Sequence, residues 1–211
     1  MQAKLWLELF GLFVLLPILF LIGIQQFGPY LLIVLAAVSV ICVWILIADS
    51  TFRRVRLWNW QAGKPHLLAS LKLFFPWALA MAAIVYWWLP DSFLQWPVEQ
   101  TSLWLLTLLM YPLLSVIPQE IIYRTFFFHR YKAILPTHFQ RLGASTLLFG
   151  FAHAIYGNWL AVALSGVGGA MFGVRYLQSR STAVVVIEHS VWGCFLFTIG
   201  LGSYLSLQHT L

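Results

Sequence analysis

From Leu9 to Ala48 the chain carries no charged residue. A run of that length is enough for two membrane crossings of about 20 residues each. No soluble fold buries so long a stretch without interruption. The rest follows the same pattern: 62% of the 211 residues are hydrophobic and 9% are charged, against about a quarter charged in soluble domains. These features predict an all-α, polytopic transmembrane helical bundle with about seven spans (range six to eight). The whole chain, 1–211, reads as a single membrane domain. Spans one to three occupy 1–100, and 101–202 hold the helices that carry the candidate catalytic motifs.

The spans are expected at about 5–24, 29–48, 67–89, 101–131, 142–157, 159–177 and 182–202. Pro112 and Pro118 should kink or break the fourth. The N-terminal apolar stretch reads as a retained first span, and Cys42 and Cys194 as buried thiols with no disulfide. Basic residues outnumber acidic ones, 12 to 6. They cluster in short loops, at Arg53, Arg54, Arg56 and Lys64, at Arg130 and Lys132, and at Arg175 and Arg180. The positive-inside rule accounts for that clustering, so nucleic acid is not an expected partner. The loop 90–100 holds Asp91 and Glu99 with no Lys or Arg. The N-terminus is therefore expected in the cytoplasm, and the protein in a membrane, most simply a bacterial inner membrane. Ser165, Gly169 and Gly173 recur every fourth residue, a face that lets helices approach closely. It can serve packing within the fold or a homodimer.

Few ionisable residues fall well inside the expected spans. They are Glu120, Arg124, His153 and His189, with Glu188 beside the last. Glu8 lies four residues from Lys4, near a span end, and can pair or snorkel. A charge at mid-membrane costs roughly 3 kcal/mol on insertion scales. Glu120 and Arg124 stand four residues apart, acid first, the order that favours pairing on one helix face. Pairing lowers the cost without explaining the pair, since two leucines would be cheaper still. Measured from Arg130, Arg141 and Arg180 at ~1.5 Å per residue, Glu120, His153 and His189 all lie roughly 13–18 Å deep. Three helices thus bring an acid and two imidazoles to one level. Glu188 reads as a structural or cytoplasm-facing acid. His66, His129, His138 and His209 read as solvated.

These residues resemble the CAAX-protease and bacteriocin-processing family of intramembrane proteases (Abi or CPBP). The motif of two glutamates, three residues and arginine corresponds to Gln119-Glu120-Ile-Ile-Tyr-Arg124. Phe, three residues, His corresponds to Phe149-Gly-Phe-Ala-His153. A later His, commonly followed four residues on by Asn, corresponds to His189 and Gly193. Asn158 lies nearby in the chain. The resemblance covers about 101–200. It implies a hydrolase that cleaves a peptide bond in a membrane-associated peptide or protein. Glu120, with His153, would take a proton from water, His189 would assist at the oxyanion or the water, and Arg124 would hold Glu120. No cofactor is expected. The alternative is a catalytic zinc bound by Glu120, His153 and His189. Two departures, Gln119 and Gly193, motivate a different function class, a catalytically inactive member acting as a membrane binding or immunity protein. A transporter would call for paired inverted repeats, and the sequence shows none.

Overall fold

The computed structural model describes residues 2–207 and is helical throughout. We label its main helices α1 (Gln2–Ile22), α2 (Ile24–Ala48), α3 (Trp60–Trp88), α4 (Thr101–Ala133), α5 (His138–Ala152), α6 (Trp159–Ser179) and α7 (Thr182–Thr198). They reproduce the seven expected segments, each end lying within a few residues of its expected place apart from the start of α3. Helices α1, α2, α4 and α6, and α3 extended back to Arg54, are long and apolar enough to cross a membrane. The helix α7 is a shorter apolar helix, and α5 has 15 residues. The protein is a polytopic helical bundle. Its outer surface carries large apolar side chains such as Trp44, Leu79, Trp87 and Trp88, as a protein surrounded by lipid can.

The helices that follow α4 have strong end signals. Thr137 caps α5 by accepting from the Gln140 amide, and the Gln140 side chain accepts in return from the Thr137 amide. Asn158 caps α6 through Ala161 N–H at 2.8 Å, directly after Gly157 reverses the chain at φ 70°. Such caps satisfy amides that a helix start leaves open.

Pro112 and Pro118 do not break α4. The helix instead widens into π-helical turns at Pro112–Val116 and Ile121–Phe126. A wider turn absorbs the missing amide of a proline and rotates the side chains beyond it, a distortion frequent at functional sites. The helix then continues through a core of aromatic rings. Phe13 of α1 sits edge-on to Tyr123, Phe127 and Tyr131 at 5.1–5.9 Å between centroids.

Ser165, Gly169 and Gly173 are buried. A Cβ on Gly169 would lie 3.3 Å from the Thr146 backbone, and one on Gly173 would strike Leu142. The glycines of this face therefore pack on α5 of the same chain, the packing role the sequence allowed.

Several polar residues have other partners than the sequence suggests. His129 is not solvated: it is 5% exposed and stands 2.8 Å from Asp49 Oδ2. Glu8 pairs with Arg130, at 2.9 and 2.7 Å, rather than with Lys4. Glu188 is a structural acid, buried against Arg175 at 2.8 Å and accepting from Ser70. Cys42 and Cys194 are free thiols. His209 lies outside the described residues.

The Asp49–His129 contact yields a pH prediction. Hydrogen bonds from His129, then Thr51, hold the Asp49 carboxyl well below its ordinary range. A depressed carboxyl stabilises the fold above its unfolded pKa, about 3.9, and that contribution fades as pH falls toward the folded value. The stability gap between wild type and Asp49→Asn should therefore shrink as pH falls from about 5 to below about 4. Unfolding in detergent followed by circular dichroism across that range checks it.

Candidate active site

The four residues picked out by charge and depth, together with one tyrosine, converge between α4, α5, α6 and α7. Glu120 and Arg124 are both fully buried, with Oε2 and Nε 3.2 Å apart. Neither atom makes an aligned hydrogen bond, so charge rather than geometry holds this contact. The Arg124 guanidinium lies over the Phe149 ring at 4.2 Å and reaches toward the Gly169 carbonyl at 3.4 Å. An aromatic face and a carbonyl are what a cation away from water can use.

Glu120 Oε1 faces His189 Nδ1 at 2.7 Å. A carboxylate only accepts, so Nδ1 donates and the neutral imidazole keeps its acceptor at Nε2. That nitrogen lies 3.0 Å from the Tyr111 hydroxyl. The ring itself stacks on Phe172, centroids 4.3 Å apart and 21° from parallel. Both nitrogens of His189 are thus engaged from α4 and its face from α6.

His153 sits where α5 ends and a 3₁₀ turn, His153–Tyr156, begins. Its Nδ1 lies 2.7 Å from the Phe149 carbonyl. A carbonyl also only accepts, so His153 is likewise held as the tautomer with an Nε2 lone pair. No direct contact joins His153 to Glu120 or His189. Phe149 lies between the imidazoles, 4.6 Å from one ring and 5.8 Å from the other.

The two imidazoles meet at a cavity of about 370 Å³, which Tyr111, Ser115 and Gln119 also line amid apolar side chains. A second cavity of about 110 Å³, between α4, α5 and the first two helices, shares Ser115, Gln119, His153 and Tyr156. These four residues line both apolar cavities. Gln119 Nε2 donates to Ser115 Oγ at 2.7 Å, while its Oε1 is buried without a partner. A buried amide oxygen left open suits a peptide N–H or a water. Glu120 has no exposed surface and stands behind His189. The position that meets the cavity is therefore the one holding glutamine.

Zinc does not fit this arrangement. Both Glu120 oxygens are engaged, by His189 and Arg124. Among the described residues no three His, Cys, Asp or Glu side chains converge on a common point. Asn158 is committed to capping α6 and to the Tyr156 and Tyr204 carbonyls.

Sequence reasoning missed Tyr111. A signal was available at Gly193, where a missing side chain beside His189 leaves a volume that something must fill. A Cβ there would land on the Tyr111 ring and hydroxyl.

Residues 100–195 match the family described as Rce1-like, type II CAAX prenyl endopeptidase Rce1-like. The match takes in α4, α5, α6 and most of α7, so the resemblance carried by the three motifs is shown over the helices that build the site. No curated protein and no solved structure matches the chain.

Proposed function

We propose that this protein is an intramembrane endopeptidase, starting from the premise that its 100–195 helices are those of a CAAX-type protease family. Such helices and the apolar surface make it an integral membrane protein. The observation that carries the reading is the meeting of two imidazoles at one cavity, each held as an Nε2 acceptor, one of them backed by a buried carboxylate. His153 would hold a water by accepting one of its hydrogens. The other hydrogen would leave toward His189, and the Glu120 carboxylate would stabilise the imidazolium that forms. The hydroxide would attack the scissile carbonyl, and the same proton would return to the departing amine. Arg124 would keep Glu120 charged and in place. Glu120 thus acts through His189 rather than on the water itself. The substrate is a membrane-associated peptide or protein, whose apolar groups the two chambers would take and whose backbone amide Gln119 would meet. A bacterial inner membrane suits the short loops.

A second reading has its own support. Gln119 meets the cavity where a glutamate would touch water, and glutamine cannot act as a base. On this reading the protein binds a membrane peptide, as an immunity protein would, without cutting it. Cleavage of a membrane-anchored peptide set by protein reconstituted in liposomes separates the two. The protease reading expects turnover by wild type and a fall of about 10²–10⁴ in kcat/KM for His153→Ala. Peptide retention without turnover, unchanged in Glu120→Gln, would establish the binding role instead.

A further inference from the structure

Gln119 and Gly193 each remove a group that the resembled family supplies to its site; Tyr111 fills the space beside Gly193 and, like Gln119, lines the large cavity. We infer that Tyr111 is a catalytic residue, the relay through which His189 and Glu120 draw a proton from water in the cavity. The inference rests on the endopeptidase reading and deepens it.

Three observations carry it. First, Tyr111 lines the large cavity, whereas Glu120 does not reach it. Second, its hydroxyl is 3.0 Å from His189 Nε2, and His189 Nδ1 is 2.7 Å from Glu120. Carboxylate, imidazole and phenol therefore form one unbroken chain that ends at the cavity wall. Third, the phenol occupies the space that any side chain at 193 would need. An asparagine at 193 and the phenol at His189 exclude one another. The glycine is what admits the tyrosine.

The chain has a definite polarity. Glu120 accepts from Nδ1–H, so Nε2 accepts from the phenol O–H, and the phenol oxygen keeps lone pairs for a donor in the cavity. When water attacks, one water O–H bond breaks and its proton bonds to the phenol oxygen. The phenol's own proton passes to His189 Nε2. The hydroxide electron pair forms the bond to the carbonyl carbon, and the carbonyl π pair moves onto its oxygen. As the oxyanion collapses and the C–N bond breaks, the proton returns from His189 through the phenol to the leaving nitrogen. Water and an amide become a carboxylic acid and an amine, with Tyr111 and His189 restored.

Tyr111→Phe removes the hydroxyl and keeps the ring that fills the space beside Gly193. In liposomes with a membrane-anchored peptide, it should lower kcat by 100-fold or more. KM should stay within about threefold, since the ring still lines the cavity. A packing role alone would leave kcat near the wild-type value. Gly193→Ala drives the phenol off His189 without removing it, and should lower kcat at least 30-fold even if Tyr111→Phe fails to fold. Restoring a polar group to the vacated space, as in Tyr111→Ala with Gly193→Asn, should recover at least tenfold over Tyr111→Ala. If wild type turns over and Tyr111→Phe stays within threefold of it, the relay is wrong and the endopeptidase reading stands. If wild type turns over no peptide, that reading fails and takes the relay with it.

Discussion

Arg124→Leu should destabilise the protein by about 3–5 kcal/mol, the usual result of removing one member of a buried ion pair. Arg124 is fully buried, and among the described residues its guanidinium is the only cationic group in contact with the Glu120 carboxylate apart from whatever charge His189 carries. Without it, a carboxylate with no exposed surface must stay charged with one imidazole for support, or take up a proton and lose its function. The double variant Glu120→Leu with Arg124→Leu should recover most of that stability, because apolar residues of similar volume replace a buried pair at little cost. It should recover no activity. Denaturant titration in micelles followed by circular dichroism gives the comparison. A single variant within about 1 kcal/mol of wild type would mean that the cation is already solvated. Recovery of stability without activity would show that the pair is kept for chemistry.

His189→Gln should lower kcat by about 10²–10⁴, the span typical of losing a general base. Glutamine can still donate to Glu120, and it is smaller than the volume it vacates, so the bundle should insert and fold. It cannot take up a proton. The substrate would still meet Leu164, Met171 and Phe172 on the cavity wall, so KM should change little. Single-turnover cleavage of a fluorogenic membrane-anchored peptide separates chemistry from binding. A rate above a tenth of wild type would assign the proton transfer to another group. Glu120→Gln should cost less than His189→Gln, since it weakens the base rather than removing it.

Much of this could be read from the residues. Apolar runs and their breaks placed the helices, because lipid demands them and loops interrupt them. The spacing of Glu120 and Arg124 predicted their pairing, and counting from the basic ends brought Glu120, His153 and His189 to one depth. Rotation about the helix axes was not legible. Which face of α4 turns toward α7 depends on the widened turns at Pro112–Val116 and Ile121–Phe126, and no hydrophobic period reports them. For the same reason the sequence could not tell that Gln119 meets the cavity while Glu120 sits behind it. His129 was misread because its partner, Asp49, comes from the end of a helix 80 residues earlier. Glu8 found Arg130 across the bundle for a similar reason: local spacing favours Lys4, but the packing of α1 on α4 brings Arg130 within reach. Tyr111 was hidden because tyrosines are common in spans, and only the hole at Gly193 marks this one.

Among the main helices, the one that ends at His153 and the one that carries His189 are the short ones. With 15 and 17 residues, α5 and α7 rise only about 22 and 25 Å at ~1.5 Å per residue, against a hydrocarbon layer of about 30 Å. Lipid beside them must compress or tilt its chains to match, at a fraction of a kcal/mol for each ångström of mismatch. On the endopeptidase reading, such short helices would bring bulk water closer to the cavity that the imidazoles line.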